Sequence, residues 1–424
     1  MKKFDGFLIG GNWIRPASRE TLELRSPAND EVYGAVVMGA AEDADAAVRA
    51  AHAAFPSFAA TSKEDRLQLL KRILDVYERR YDELAAAMTE EMGAPVRLSH
   101  EAQAAAGADY IRATIEAFES FEIERSGAGR VLLRREPVGV CALITPWNWP
   151  LNQIAGKVAP ALAAGCTMVL KPSELTPMSA TLFAEVLVEA GVPAGVFNLV
   201  HGDGSAVGTA LSSHPLVDMV SFTGSTAAGV KVAINAAPSV KRVTQELGGK
   251  SANILLHDAD FDIAVEQSVR ACMENSGQSC NAPTRLLVPA ERHDEVAQMA
   301  AAIARSLRVG PPLDEDTEIG PLVSRAHCER VLNYIRIGQQ EGAVLVAGGP
   351  EPLAHLAPGY FVRPTVFARV TPEMTIAREE IFGPVLSILS YEDEDQAIDM
   401  ANDTPYGLAA YVSSQDEAHA LSVA

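Results

Sequence analysis

From about Ala41 to Phe118 apolar residues recur at helical spacing. The segment Arg66-Leu67-Gln68-Leu69-Leu70-Lys71-Arg72-Ile73-Leu74 shows the pattern, with aliphatic side chains along one face and charges on the other. These are expected to be packing helices that carry no chemistry. Ahead of them lies an apolar, glycine-rich stretch, Phe7-Leu8-Ile9-Gly10-Gly11-Asn12-Trp13. After them, a turn at Ala128-Gly129-Arg130 leads into Val131-Leu132-Leu133-Arg134-Arg135-Glu136-Pro137, which predicts an exposed hairpin or edge strand. Such a ribbon suits pairing with another subunit or a plain surface hairpin, and both readings stay open.

Between Val138 and Val243 the period changes. Short apolar strands are predicted at Gly139–Ile144, Thr167–Leu170, Val196–Val200 and Met219–Phe222. Helices separate them, such as Ser179–Ala190, entered through Thr176-Pro177, where threonine can cap and proline suits the first turn. Strand and helix in regular alternation mean a parallel sheet covered on both faces, and such sheets bind ligands at the carboxyl ends of their strands. A second lobe is expected to begin near Gly248-Gly249, a pair suited to a hinge, with Ser251–Leu256 as its first strand. Its alternation runs on through Val385–Leu389, and there is no internal repeat or low-complexity segment.

Composition changes this picture little. The chain has 424 residues, 48% of them hydrophobic and 21% charged, enough for two sizeable lobes. Its 55 acidic against 35 basic side chains give a formal charge of −20, which repels phosphate backbones and anionic headgroups, so nucleic acid and membrane are poor partners. Met1-Lys2-Lys3 is followed by Phe4-Asp5-Gly6 and not by the apolar core of a secretory signal. No run of about 18 apolar residues occurs, and a cytoplasmic protein is expected. Cys141, Cys166, Cys272, Cys280 and Cys328 are an odd set without close spacing, expected to be free thiols. The nine histidines are scattered, and no metal is called for.

No Gly-x-Gly-x-x-Gly follows the first strand of the alternating region, which runs instead into Thr145-Pro146-Trp147-Asn148-Trp149-Pro150. Two other features can take its place. Lys171-Pro172-Ser173-Glu174 stands at the end of the second strand, where an acid can bond both hydroxyls of an adenosine ribose and would repel a 2′-phosphate, favouring NAD over NADP. A polar turn is the alternative. Thr223-Gly224-Ser225 opens a helix near Thr226, where free N–H groups suit a pyrophosphate or simply a capped helix.

The sharpest chemical signal is Asn275-Ser276-Gly277-Gln278-Ser279-Cys280, a cysteine set among small polar residues and not in an apolar stripe. Its sulfur can form and release a thioester once it approaches thiolate. An exposed bystander is the competing reading. Thr244-Gln245-Glu246-Leu247-Gly248-Gly249-Lys250 places a carboxylate at the end of the first lobe's last strand, where it can take a proton from water, or pair with Lys250 or Arg242.

Together these segments resemble the aldehyde dehydrogenase family. The resemblance spans Gly10-Gly11-Asn12-Trp13 to Asn402, and also rests on Phe222-Thr223-Gly224-Ser225 and Glu379-Glu380-Ile381-Phe382-Gly383-Pro384. It implies two doubly wound Rossmann-like α/β lobes with a small oligomerisation hairpin. Residues 1–118 and 138–247 would form the dinucleotide-binding domain, 119–137 the hairpin and 248–424 the catalytic domain. It further implies Cys280 as nucleophile, Glu246 as general base, Asn148 as oxyanion donor and Lys157 near the site in a proton relay. Cofactor contacts are implied at Thr145, Trp147, Lys171, Glu174, Gly204, Ser225, Glu380 and Phe382.

The resemblance implies a homodimer or homotetramer that oxidises an aldehyde to a carboxylic acid with NAD, through a Cys280 thioester. Glu246 favours hydrolysis over transfer of the acyl group to coenzyme A. A silent NAD-binding relative and a coenzyme A-acylating enzyme are the competing readings. Two departures stand out. Met273 stands where many family members carry an aromatic residue, a position that can line the substrate tunnel, so acyl-chain preference stays open. The chain also stops at Ala424, before a further strand, a substrate loop and a dimer strand that the family carries, so a fragment is expected.

Overall fold

The computed structural model describes residues 2–16 and 19–424. The chain divides into two compact units, one made of Met1–Arg25, Val32–Glu91 and Ser99–Glu246, the other of Ser26–Glu31, Met92–Leu98 and Leu247–Ala424. Two short segments of the N-terminal third therefore cluster with the second unit, which an uninterrupted 1–118 does not anticipate.

The first unit is built on a seven-stranded sheet whose order is Arg242–Glu246, Met219–Thr223, Val140–Ile144, Thr167–Lys171, Phe197–Leu199, Phe7–Ile9 and Asn12–Ile14. The first five are parallel. The last two form a hairpin that adds antiparallel to the edge. Gly10 and Gly11, at φ 60° and 82°, supply the positive-φ turn that such a hairpin needs. The glycine-rich opening is thus a sheet edge, a role that its brevity hid.

Val140–Ile144 comes first in sequence among the parallel strands, yet it lies in the middle, with later strands added on either side. Strand order therefore reverses between it and Met219–Thr223, the place where doubly wound sheets bind ligands. Pro150–Ala164 and Pro177–Glu189 are among the helices covering the sheet. The cap expected of Thr176 is not made, and its hydroxyl has no partner. Glu91 does the work instead: its buried carboxylate accepts from the N–H groups of Met178 at 2.7 Å and Ser179 at 3.1 Å. Burial pushes the Glu91 carboxyl up to about 8. Glu124–Ser126 and Leu132–Arg134 form the expected exposed hairpin.

The second unit carries a six-stranded sheet, ordered Val344–Ala347, Thr365–Ala368, Val385–Tyr391, Arg285–Pro289, Ala252–Leu255 and Ala410–Ser413. All neighbours are parallel except the first pair. Alternate residues feed two cores. Val366, Leu286, Val288, Leu386 and Ile388 pack with the helices Phe261–Met273 and His293–Ser306. Phe367, Val385 and Leu389 pack with Arg325–Gln340. Period-two alternation with both sets buried is what a sheet covered on two faces requires. Met273 is fully buried in the first of these cores, beside Val269 and Cys272, so it fills interior space and does not line a tunnel.

Candidate active site

In the first unit, the candidate groups gather where the parallel strands end. Thr145 follows Ile144, and Thr223 closes the neighbouring strand, whose Phe222 pairs with Ile144. Both hydroxyls are buried and find no hydrogen-bond partner. Two orphaned hydroxyls side by side at the reversal of strand order are costly unless a ligand satisfies them. The sequence singled out Thr223-Gly224-Ser225 for its backbone N–H groups and gave no sign of the Thr223 hydroxyl.

Asn148 is buried just before the helix Pro150–Ala164, and its backbone carbonyl accepts from Gln103 Nε2 at 3.0 Å. Trp147, beside it, is half-buried. Lys157 projects from the same helix and donates to Ser221 Oγ at 3.0 Å. Burial pushes its amine down to about 8, against the opposing pull of the Glu246 carboxylate. Glu246 ends the edge strand Arg242–Glu246, is exposed in its unit and makes no ion pair among the described residues, so the pairing with Arg242 does not form.

Lys171 is only 3% exposed. Its amine donates to the carbonyls of Pro172 at 2.7 Å and Gly202 at 2.6 Å, and reaches Glu174 at 3.4 Å. All three ammonium donors are used, which fixes the Glu174 carboxylate at the rim of the sheet. Gly204 begins the turn after Gly202, in open space where even a Cβ would touch nothing. Ser225 caps the helix Thr226–Ala236, its hydroxyl accepting from the N–H of Ala228 at 3.3 Å. The remaining first-turn donors point out of the helix, as an anion would need.

In the second unit, Cys280 ends a strained loop. Asn275, Ser276 and Gly277 all take left-handed φ, at 52°, 57° and 73°. Non-glycine residues persist there only when their surroundings impose it, and such strain concentrates at functional sites. The imposing contacts are visible. Ser276 donates to the carbonyl of Gly320 at 2.8 Å, while the buried Gln278 donates to the carbonyl of Asn275 at 3.0 Å and accepts from the N–H of Val323 at 3.0 Å. Four of the five cysteines are buried, and Cys280 alone is partly open. Burial also pushes Cys272 up to about 12 and Cys328 up to about 11. The Cys166 thiol is pulled down by the neighbouring Cys141 thiol, but both lie inside the first core and lack access.

Gly248 and Gly249 are buried, not slack. A Cβ on Gly248 would lie 2.3 Å from a Glu380 carboxylate oxygen, and one on Gly249 would lie 2.3 Å from the Cys280 carbonyl oxygen. The Gly249 N–H also donates to Glu380 Oε1 at 3.1 Å. The pair therefore exists for close backbone approach, where a hinge was expected. Phe382, two residues beyond Glu380, is itself left-handed at φ 63°. Its carbonyl accepts from His327 Nε2 at 2.7 Å, and burial pushes that imidazole down to about 4, keeping it a neutral donor. Arg330 donates to the Glu380 carbonyl at 3.0 Å. His327 was invisible in the sequence because a lone histidine with no metal-ligand spacing carries no signal.

Comparison with known proteins decides what these halves belong to. Residues 13–424 match the model of the aldehyde dehydrogenase family. The chain belongs to that family. A 3-succinoylsemialdehyde-pyridine dehydrogenase from a Pseudomonas species is 53% identical, over 100% of this chain and 89% of its own length. The crystal structure of a mutant aldehyde dehydrogenase C from Pseudomonas syringae, in complex with NAD+ and octanal, superposes with a TM-score of 0.98 at 50% identity, covering 99% of this chain and 87% of that one. An aldehyde dehydrogenase from Bartonella henselae gives 0.98 at 47% identity, covering 100% and 89%. Among the described residues of this aldehyde dehydrogenase family member there is no cluster of metal-ligating side chains, and no helix long and apolar enough to cross a membrane.

Proposed function

We propose that the chain oxidises an aldehyde to a carboxylic acid with NAD, through a thioester on Cys280 that water hydrolyses. One observation carries the proposal: of five thiols, only Cys280 is open, and its loop is held in a strained course by buried hydrogen bonds. The residues present fit the cofactor. The orphaned Thr145 and Thr223 hydroxyls lie at the reversal of strand order, with Trp147 beside them on the Thr145 loop. Lys171 and Glu174 suit an adenosine ribose, Gly204 leaves open space beside it, and the Thr226–Ala236 N-terminus behind Ser225 suits a pyrophosphate. Glu380 and Phe382 would hold the nicotinamide end. The acid at position 174 favours NAD over NADP.

When bound, NAD supplies the acceptor for the hydride that leaves the substrate carbon. The protein's share is the rest. The Cys280 thiolate attacks the aldehyde carbon, and the carbonyl electron pair moves to oxygen. The Asn148 amide and the Cys280 backbone N–H stabilise that oxyanion, a term for which a single donor is typically worth about 3 to 4 kcal/mol. Collapse leaves a thioester on sulfur. Glu246 then takes a proton from water as its oxygen attacks the thioester carbon, and the thiolate departs from the free acid. Lys157, held near 8, can pass that proton onward at neutral pH.

The octanal of the Pseudomonas syringae complex and the pyridine semialdehyde in the name of the other Pseudomonas relative define the substrate range to try first. Five free thiols agree with a cytoplasmic enzyme, and the exposed Leu132 and Leu133 of the hairpin agree with a homodimer or homotetramer. A panel of aliphatic, aromatic and pyridine-bearing aldehydes, run with NAD and NADP in parallel and with and without coenzyme A, tests the proposal. Formation of NADH and free acid without coenzyme A is expected. No turnover of any aldehyde, or an absolute need for coenzyme A, would overturn it.

A further inference from the structure

Between the helical layer and the hairpin segment of the first unit lies an open cavity of about 690 Å³ that the proposed reaction does not use. Its walls carry Lys63, Arg66, Arg134 and Arg135 against a single carboxylate, Glu136. In a chain with a formal charge of −20, this is a local inversion of sign.

Arg66 is the decisive residue. It is only 7% exposed, and no carboxylate pairs with it among the described residues. Its one hydrogen bond is a long contact from Nε to the Ser62 carbonyl at 3.4 Å. Asp65, the acid next to it in sequence, is turned away into the helix cap, where the Ser62 hydroxyl donates to it at 2.7 Å. Glu136 sits on the exposed rim, 3.7 Å from Arg134. The Arg66 side chain is mostly covered, its guanidinium faces the cavity without a counter-ion, and burial lowers its proton affinity.

The same walls are aromatic. The Arg66 guanidinium lies 5.5 Å from the centroid of Phe118, and Arg135 lies 5.0 Å from that of Phe121. Lys63 already spends two donors on the carbonyls of Glu119 and Phe121, both at 2.9 Å, which fixes it at the mouth with one donor left. A planar fork of donors beside apolar rings matches an anion that is planar and has an apolar body.

We propose that this cavity binds a carboxylate bearing an apolar body, with the carboxylate on Arg66 and the body along Phe118 and Phe121. Inorganic anions meet the charge but leave the rings uncovered. Alcohols meet the rings but leave the guanidinium unpaired. Carboxylates of this kind are also the product class of the proposed reaction, so the cavity would report product from outside the candidate active site. Binding is nevertheless independent of turnover, and a chain that oxidised nothing could still show it.

Hydrogen exchange of the full chain, followed by mass spectrometry with octanoate, octan-1-ol or inorganic phosphate at equal concentration, tests the site. Octanoate is expected to slow exchange in residues 55–66 and 118–137, and the other two are not. Arg66→Met should weaken that protection at least tenfold. Should Arg66→Met melt early, Ala60→Trp, which fills the cavity mouth and leaves the guanidinium in place, must weaken it to the same degree. Equal protection by octan-1-ol or phosphate overturns the proposal, as do protection confined to the Cys280 loop and parent-like binding by either folded variant.

Discussion

In the first unit, the residues singled out for the cofactor stand where regular elements end. Thr145 follows a strand, Lys171 finishes one, Ser225 caps a helix, and each backbone is of an ordinary kind. In the second unit, Asn275, Ser276 and Phe382 are bent into left-handed conformations, and Gly248, Gly249 and Gly277 stand where no side chain fits. The proposed cofactor side thus rests on strand ends and a helix N-terminus that the strand order brings together. The proposed nucleophile side rests on packing, since buried hydrogen bonds hold the course of its loop. Topology tolerates substitution; a packed, strained loop does not.

The comparison breaks most directly at the glycines. Gly277→Ala forces a side chain onto a left-handed residue and to within 2.1 Å of the Gly383 carbonyl oxygen, whereas Gly204→Ala enters open space. The first should cost about 3 kcal/mol or more of stability, and the second under about 0.5 kcal/mol, read by denaturant unfolding. Equal effects would dissolve the distinction. Next in size, Asn148→Ala should lower kcat several hundredfold, well beyond any change in melting temperature, as expected for a lost oxyanion donor.

Each unit also buries a lysine, and their fates should diverge. Lys171 spends its donors on two carbonyls and Glu174, while the Lys250 amine has no partner and burial pushes it down to about 7. Lys171→Met should therefore destabilise by about 1 to 3 kcal/mol, by orphaning those acceptors. Lys250→Met should stabilise. The sign follows from linkage: between about 7 and the unfolded value of 10.5 the unfolded chain binds the extra proton, so the parent gains stability as pH rises through that window. The advantage of Lys250→Met is accordingly largest below pH 7 and shrinks toward about pH 10, a trend that melts across pH will show. A modest effect is expected at Ser225→Ala, where loss of the cap costs about 1 kcal/mol. A fall in NAD affinity greater than the fall in stability would assign the hydroxyl to the pyrophosphate as well.

What could be read from the sequence follows the same division. Alternating strands and helices announced the parallel sheet, because period and turn chemistry are local. Lys171, Glu174 and Ser225 could be singled out for that reason, as residues at or just past strand ends. Cys280 could be singled out from its polar neighbours. The long-range contacts were not: nothing near Thr176 says that Glu91 will cap its helix, and nothing near Gly248-Gly249 says that Glu380 and the Cys280 carbonyl will press against them. The core place of Met273 was hidden for the same reason, since partners such as Leu286 and Leu386 come from distant strands.

The central claim is that Cys280 is the atom on which the aldehyde is held. The most direct measurement compares NADH formation and NAD binding in the parent and in Cys280→Ala. The account predicts that turnover vanishes while the dissociation constant for NAD changes less than about threefold, under about 0.7 kcal/mol. Undiminished NADH formation by Cys280→Ala would contradict it.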